Sequence, residues 1–222
     1  MSAKTIIITA GGIGKRMGGD LPKQFLRIHN KVILFHTITR FHDYDNQAQI
    51  LLTLPEEWLT YWNDLCISEN FIIPHQVIIG GKERYHSIQK ALAAATGDFI
   101  AVHDGVRPFV SNDTIARCFK CAELNGTAIP VLEIKESIRL VTESLSQSVN
   151  RAVYRTVQTP QVFQKSLLIE SYKRPFHSGI TDDASLVEEN GINISLVEGN
   201  EENIKLTTPF DLKIGELIAM NF

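Results

Sequence analysis

Two basic residues accompany a glycine-rich turn near the start of the chain. The segment from residue 9 to residue 25 reads TAGGIGKRMGGDLPKQF and comes directly after the run Thr5-Ile6-Ile7-Ile8. A β-branched run favours a strand, whereas glycines permit positive φ angles and let backbone N–H groups approach an anion closely. Arg16 and Lys23 add positive charge where phosphate groups would lie. The spacing therefore predicts a strand that leads into a phosphate-binding loop.

The two commonest glycine-rich phosphate loops do not fit this segment. A Walker A loop requires Lys and then Ser or Thr after its last glycine, with another glycine five positions before that last one. Here Gly14 and its lysine are followed by Arg16, and the earlier position is Thr9. The dinucleotide fingerprint requires a third glycine where this chain has Met17. The loop therefore belongs to a different class of phosphate-binding protein.

The composition is typical of a globular protein with no affinity for nucleic acid or membrane. The 222 residues, 44% of them hydrophobic, suffice for one α/β domain with a buried core. A net charge of −3 disfavours nonspecific nucleic-acid binding, which relies on clustered positive charge. The chain has no apolar run long enough to span a bilayer and no secretory pattern at its N-terminus. We expect a cytoplasmic protein.

Three cysteines are too few to indicate a disulfide framework. Cys118 and Cys121 form a CxxC pair, but no second pair or histidine pair is present to complete a zinc site. Both fall within a helical pattern, where positions i and i+3 share a face. We expect them, like Cys66, to be reduced and structural.

Apolar runs alternate with helical patterns along most of the chain. The predicted strands are Thr5–Thr9, Gln49–Leu54, Gln76–Ile79, Phe99–His103, Thr127–Val131 and Asn193–Val197. The predicted helices are Ile33–Phe41, Glu56–Ile67, Tyr85–Ala95, Asp113–Leu124, Lys165–Tyr172 and Asp182–Asn190, with a last one opening at Thr208-Pro209. Such alternation favours an α/β fold, a Rossmann-like three-layer α/β/α domain whose twisted sheet is mostly parallel and covered on both faces.

One stretch, residues 133 to 157, breaks the alternation. Two β-rich pieces, 137–141 and 152–157, flank a polar middle. The pattern predicts a β-hairpin arm that projects from a single domain spanning residues 1–222. Such an arm would leave sheet edges exposed unless another chain covered them.

Motifs in the first loop and further along resemble the pyrophosphorylase-type nucleotidyltransferases, and within them the 2-C-methyl-D-erythritol 4-phosphate cytidylyltransferase family. The motifs keep the family order from about Ile6 to Leu217 and read GGKER with Ser87, VHDGVRP at 102–108, TPQ at 159–161, TDDA at 181–184 and NIKLTTP at 203–209. The resemblance implies transfer of CMP from CTP to 2-C-methyl-D-erythritol 4-phosphate, which gives 4-diphosphocytidyl-2-C-methyl-D-erythritol and pyrophosphate, with Mg²⁺ as cofactor. It also implies a homodimer, in which the arm completes the partner's site.

The resemblance assigns catalysis to Arg16 and Lys23, which would contact the triphosphate and the developing pentavalent phosphorus. An attacking phosphate is largely ionised at neutral pH because its second pKa is about 6, so no strong general base is required. Catalysis then depends on position and on electrostatic stabilisation.

Nucleotide binding is expected from two glycine-containing loops. The first supplies Ala10, Gly11, Gly12 and Gly14, and the second supplies Gly81, Lys82 and Ser87. The position of Lys82 is commonly acidic in the family, so a side-chain role there is in doubt.

The acceptor is expected to lie at the carboxyl end of the strand that precedes Asp104 and Arg107, where open α/β sheets bind ligands. The resemblance adds Thr159 and Lys205 from the same subunit, and Ser137 and Arg151 from the neighbouring arm. Asp104 is also a candidate metal ligand, although Mg²⁺ is expected mainly on the CTP phosphates. Asp182 is explained by helix capping.

Two other functions stay open from the sequence. Ribitol-5-phosphate cytidylyltransferases share nearly all these motifs and differ in the acceptor. A non-catalytic nucleotide-binding homologue would lose Arg16 or Lys23 and keep the glycines, whereas both cations are present here.

Overall fold

A twisted central sheet organises the protein in the computed structural model, which describes residues 2–12 and 21–222. Its eight strands are β1 (Lys4–Thr9), β4 (Gln49–Leu54), β5 (Gln76–Ile79), β6 (Phe99–Asp104), β7 (Thr127–Glu133), β10 (Arg155–Val157), β11 (Gln161–Gln164) and β12 (Leu196–Glu198). Two small hairpins lie outside it, formed by β2 (Arg27–Ile28) with β3 (Lys31–Val32) and by β8 (Arg139–Val141) with β9 (Ser146–Ser148).

The strand order places β1 near the middle of the sheet. The order β5-β4-β1-β6 is parallel throughout, and β12 is parallel to β7. Strand β11 lies antiparallel between β6 and β7, and β10 is antiparallel to β7. The carboxyl ends of β1 and β6 therefore lie side by side, with Thr9 paired to Asp104.

Helices cover both faces, as the sequence predicts. They are α1 (Ile33–Tyr44), α2 (Leu59–Ser68), α3 (Arg84–Ala94), α4 (Asn112–Asn125), α5 (Lys165–Ser171), α6 (Asp183–Glu188) and α7 (Pro209–Ala219). In β1, Ile6 and Ile8 pack on the side of α1, α2 and α4, whereas Ile7 packs on the side of α3, α5 and α6. The three-layer α/β/α architecture is confirmed.

Helix ends follow their sequence signals. Gly126 adopts the left-handed conformation after α4 with φ of 82°, and Thr208 caps α7 in a capping box with proline in the first turn. Asp182 caps α6 in the same way through the Ser185 N–H. The three cysteines are free, and none of the described helices has the length and apolar character needed to cross a bilayer.

Strand β11 was not predicted, and the arm differs from its prediction. The QVFQ segment of β11 is short and has polar ends, so it carries little strand signal, although its first three residues are buried. In the arm, β8 pairs with residues 146–148 rather than with 152–157. Residues 155–157 instead pair with the end of β7 and thereby extend the main sheet. The strand predicted at 193–197 is observed at 196–198.

Two extra residues separate β10 from β11. Val157 pairs with Val131 and Val162 pairs with Ala128. The chain thus advances five residues from β10 to β11 while β7 advances only three. Gln158 still follows the register of β10, because its N–H donates to the Pro130 carbonyl oxygen at 2.8 Å. The two surplus residues come after it and form a bulge that contains the buried Thr159. This bulge places Thr159 beside the end of β6.

Candidate active site

The glycine loop begins where β1 ends. Ala10 is buried, and its N–H donates to the Thr53 carbonyl oxygen at 3.1 Å. Gly11 and Gly12 are exposed, and a Cβ atom on Gly11 would meet nothing within 4 Å. The backbone at Gly11 therefore has open space beside it, as an anion site requires. Gly14 and Arg16 lie outside the described residues.

Lys23 is held next to this loop by its two neighbours. The buried Gln24 side chain donates to the Ala10 carbonyl oxygen at 2.8 Å. Phe25 is buried against Trp58, with ring centroids 5.4 Å apart. As a result, the Lys23 Cε atom lies 3.9 Å from the position a Cβ on Gly12 would occupy. The structure thus brings Lys23 and the glycine loop together.

Asp104 ends β6 and forms ion pairs with three cations. Its carboxylate lies 2.9 Å from Lys205 Nζ, 3.4 Å from Arg107 Nε and 3.9 Å from Arg84 Nε. Burial alone would raise the pKa of the Asp104 carboxyl, but Lys205, Arg84 and Arg107 hold it well below its usual range. Arg84 also pairs with a second carboxylate, Asp183. Three cations against two carboxylates still leave a net positive charge, which suits an anionic ligand.

Arg84 joins this cluster to a second, buried carboxylate. Its Nη2 lies 2.6 Å from Asp183 Oδ2, and the Tyr172 hydroxyl donates to Asp183 Oδ1 at 2.5 Å. Burial lowers the pKa of the Arg84 guanidinium, but Asp183 and Asp104 outweigh burial and raise it. Asp183 is completely buried, so it gives Arg84 a second fixed ion-pair partner in addition to Asp104.

Thr159 lies behind Asp104 and is also buried. Its hydroxyl oxygen accepts from the Asp104 N–H at 3.2 Å and lies 2.9 Å from His103 Nδ1. The structure therefore brings four of the predicted residues into one cluster: Asp104, Arg107, Thr159 and Lys205.

The second glycine-containing loop is braced from inside. The Gly81 N–H donates to Ser87 Oγ at 3.0 Å, and the Ser87 hydroxyl lies 3.1 Å from the Glu83 carbonyl oxygen that accepts its proton. A Cβ on Gly81 would lie 2.4 Å from His86 Cβ, so only glycine fits without a shift of the α3 backbone. Lys82 is exposed at the tip of this loop.

The two predicted arm residues lie apart from the domain core. Ser137 and Arg151 are both exposed, and the Arg151 guanidinium donates to the Lys135 carbonyl oxygen within the arm. They belong to the arm, which the family resemblance implies completes the site of a neighbouring subunit.

The described residues do not fit a metal ion held by the protein alone. They contain no group of three or more His, Cys, Asp or Glu side chains close enough to share an ion. Asp104 has its carboxylate occupied by cations, which oppose a divalent ion at the same place.

Sequence reasoning missed several residues of the site, namely Arg84, His103, Tyr172, Asp183 and Asn203. Arg84, His103, Asp183 and Asn203 stand inside the motifs, next to assigned residues, but nothing in their spacing indicates that they contact one another. Tyr172 lies outside any motif, and only the fold places its hydroxyl on Asp183.

The fold and the site define a class of protein. A three-layer α/β/α domain with a glycine loop and a lysine after β1, and with cations clustered at the end of β6, has the organisation of a nucleotidyltransferase. A family model described as 2-C-methyl-D-erythritol 4-phosphate cytidylyltransferase matches residues 4–221. The chain belongs to this family.

Relatives and solved structures agree with the family match. The 2-C-methyl-D-erythritol 4-phosphate cytidylyltransferase of Phocaeicola vulgatus is 48% identical over 214 residues, which cover 96% of this chain and 98% of the relative. That of Bacteroides fragilis is 48% identical over 216 residues, covering 97% and 99%. The crystal structure of the Thermus thermophilus enzyme of this name is 30% identical and has a TM-score of 0.79, covering 99% of this chain and 100% of that chain. The likeness therefore extends over the whole fold.

Proposed function

We propose that this chain transfers CMP from CTP to 2-C-methyl-D-erythritol 4-phosphate, forming 4-diphosphocytidyl-2-C-methyl-D-erythritol and pyrophosphate. Membership of the family supports this reaction. The observation that carries it is the position of Lys23 beside the exposed Gly12 after β1, a strand whose carboxyl end lies next to that of β6 with its cation cluster. Nucleotide and acceptor phosphates would meet between these two positive regions.

The residues divide between the two substrates. Lys23 and Arg16 stabilise the charge that develops on the α-phosphorus while pyrophosphate leaves. Ala10, Gly11, Gly12 and Gly14 offer backbone groups to the nucleotide, and the braced loop with Gly81, Lys82 and Ser87 contacts its base. Arg107 and Lys205 bind the acceptor phosphate, and Asp104 keeps both cations in place.

We assign Mg²⁺ to the nucleotide rather than to a protein-held site. The Asp104 environment does not fit a divalent ion, and Mg²⁺ commonly binds substrate phosphates while keeping several waters. Excess EDTA is therefore expected to stop pyrophosphate release.

We also propose a cytoplasmic homodimer in which the arm, residues 133–157, reaches the neighbouring subunit. Apolar side chains on the arm are exposed, including Leu140, Val141 and Val153. A cleft of about 1030 Å³ opens at the base of the arm, lined by Arg151, Arg155 and other charged residues. Exposed apolar groups beside an open cleft favour burial against a partner. Ser137 and Arg151 would then contact the acceptor bound by the partner.

The deciding experiment measures pyrophosphate release from CTP, ATP, GTP and UTP with each of two acceptors. We expect turnover with CTP and 2-C-methyl-D-erythritol 4-phosphate. Preferred turnover with ribitol 5-phosphate would instead assign the related activity. CTP binding by calorimetry without turnover of either acceptor would identify a non-catalytic homologue.

Lys23→Ala tests the catalytic assignment. Loss of one preorganised donor to a developing charge lowers turnover by about a hundredfold or more. CTP affinity is expected to change far less, because the glycine loop remains. Lys213→Ala, which removes an exposed lysine on α7, is the control. An unchanged rate for Lys23→Ala would refute the assignment.

A further inference from the structure

We propose that His103 and Asn203 are positioning residues that, together with Thr159, hold Arg107 in the geometry needed to bind the acceptor phosphate. The inference rests on the proposed function, since it concerns how that acceptor is recognised. It also changes the role of Thr159, from a phosphate ligand to a member of the supporting structure.

The four residues form a closed ring of hydrogen bonds. His103 Nε2 lies 2.9 Å from the Arg107 carbonyl oxygen, and His103 Nδ1 lies 2.9 Å from the Thr159 hydroxyl. The Asn203 side-chain amide donates to the Thr159 carbonyl oxygen at 2.8 Å. The Asn203 carbonyl oxygen accepts from Arg107 Nη1 at 2.7 Å, which closes the ring. The ring joins three segments: the end of β6, the β10–β11 bulge and the loop before Lys205.

The proton positions in the ring follow from its chemistry. His103 is completely buried, and burial lowers its pKa to about 4, so the imidazole is neutral at pH 7. A neutral ring facing the Arg107 carbonyl must carry its proton on Nε2, which leaves Nδ1 as an acceptor. The Thr159 hydroxyl therefore donates to His103, and its oxygen accepts from the Asp104 N–H. Its single proton is not available to a substrate phosphate.

Arg107 is consequently fixed at both ends of the residue. His103 holds its backbone, while Asp104 and Asn203 hold Nε and Nη1 of the guanidinium. Arginine has five N–H donors in a rigid plane, so Nη2 keeps its donors for an anion in a defined direction. Lys205 follows Asn203 by two residues, and the same anchor therefore sets the loop that carries the second cation.

The environment of the Asn203 side chain indicates a positioning role rather than a contribution to stability alone. It is completely buried, and its Oδ1 atom has no hydrogen-bond partner among the described residues. A buried polar atom without a partner destabilises a protein. The amide cannot be turned to relieve this, because Oδ1 would then face the Thr159 carbonyl oxygen. Asn203 therefore maintains the hydrogen bond to Thr159 although its own Oδ1 atom stays without a partner among the described residues.

The test compares KM for 2-C-methyl-D-erythritol 4-phosphate with KM for CTP in ring variants. Thr159→Val opens the ring and is expected to raise the acceptor KM about tenfold, the equivalent of about 1.4 kcal/mol. Thr159→Ser keeps the hydroxyl and is expected to restore the acceptor KM. The matched control is Thr53→Val, which removes a buried hydroxyl without a partner in the described part of the chain. CTP affinity, measured by calorimetry, verifies that each variant is folded.

A second pair of variants separates positioning from direct phosphate binding. His103→Asn keeps an acceptor near the Nδ1 position but loses the donor to the Arg107 carbonyl, and it leaves the Thr159 hydroxyl intact. If the ring positions Arg107, His103→Asn also raises the acceptor KM, and the double variant with Thr159→Val is no worse than the more severe single variant. The inference would be overturned if the fold-increases in acceptor KM of the two single variants multiplied in the double variant. It would also be overturned if His103→Asn left the acceptor KM unchanged. Should His103→Asn fail to bind CTP, Asn203→Ala replaces it in the cycle.

The wild-type protein separates this inference from the proposed function. If the wild type releases no pyrophosphate with the methylerythritol acceptor, the proposed function fails. If it turns over normally and the ring variants keep its acceptor KM, only the ring inference fails.

Discussion

Asp104 organises the cation cluster that we propose as the acceptor site. Lys205, Arg107 and Arg84 surround it, and its low pKa keeps it ionised at neutral pH. Like charges at this distance repel one another, and Asp104 offsets that repulsion. It acts together with Asp183, which holds Arg84, and with the Asn203 carbonyl oxygen, which holds Arg107. In the proposed site the carboxylate thus supports anion binding by holding the cations, although its own charge is negative.

Lys205 is the most accessible cation of the cluster, with 44% of its side chain exposed. We expect Lys205→Met to raise the acceptor KM roughly tenfold to a hundredfold, because hydrogen bonds to charged groups contribute about 1.5–3 kcal/mol. The KM for CTP should change little. Lys213→Met on α7 serves as the control for loss of a lysine. Equal KM values for Lys205→Met and the control would exclude a contact between Lys205 and the acceptor.

At the scale of elements, the Arg84–Asp183 pair joins α3 to the start of α6. Breaking a fully buried pair by removing one charge destabilises a protein by about 3–5 kcal/mol. Here Asp183 is buried but 33% of the Arg84 side chain is exposed, so the lower end of that range applies. Asp183→Asn is therefore expected to lower the free energy of unfolding by about 3 kcal/mol in urea denaturation. Tyr172→Phe, which removes only the hydroxyl donor, should lower it by about 1–3 kcal/mol. A larger loss from Tyr172→Phe than from Asp183→Asn would contradict this interpretation.

The segment after α2 contains a histidine that predicts a pH effect. Trp62 Nε1 donates to His75 Nε2 at 3.1 Å, and His75 Nδ1 lies 2.8 Å from the Ile73 carbonyl oxygen. This bonding requires the neutral imidazole, and burial lowers the pKa of His75 in agreement with it.

Because the folded pKa of His75 lies below the unfolded value, its contribution to stability is complete above about pH 6.5. That contribution is lost as the pH falls below this value, since the unfolded chain then binds the proton first. We expect the free energy of unfolding to fall between about pH 7 and pH 5, more steeply than in His75→Gln. Tryptophan fluorescence during urea unfolding measures both. Parallel pH profiles for the two proteins would rule out a role for His75.

The sequence predicted those elements whose signal is local. Strands β4 and β5 have the predicted bounds because each is a continuous apolar run between polar segments. Strand β11 escaped prediction because its assignment depends on the gap between β6 and β7, which only the assembled sheet creates.

The same distinction between local signals and contacts made by the fold applies to the site. Four predicted residues meet at the end of β6, and each of them stands in a motif that resembles the family. Their supports could not be predicted, because Arg84 and Asp183 are 99 positions apart and Arg107 and Asn203 are 96 apart. Only the fold brings such pairs within hydrogen-bond distance.

At the scale of the whole molecule, the proposed shared site can be tested by mixing subunits. Lys23→Ala removes a residue of the domain, and Arg151→Ala removes a residue of the arm. If the arm serves the partner, half of the dimers in an equal mixture are mixed and have one intact site of two. Recovery of about a quarter of wild-type activity is then expected from this symmetry. Sites confined to single subunits would give no recovery beyond the sum of the two variants.

The place of β11 has a consequence for the growing chain on the ribosome. Residues up to 133 include β6 and β7, but these strands do not pair directly, because the segment between them is made some thirty residues later. A nascent chain that ends at this point lacks the strand between β6 and β7, so the backbone edges of both strands that face this gap are unpaired. Until residue 164 emerges, these unpaired edges can pair with a foreign strand, so this interval of synthesis is one in which aggregation is favoured.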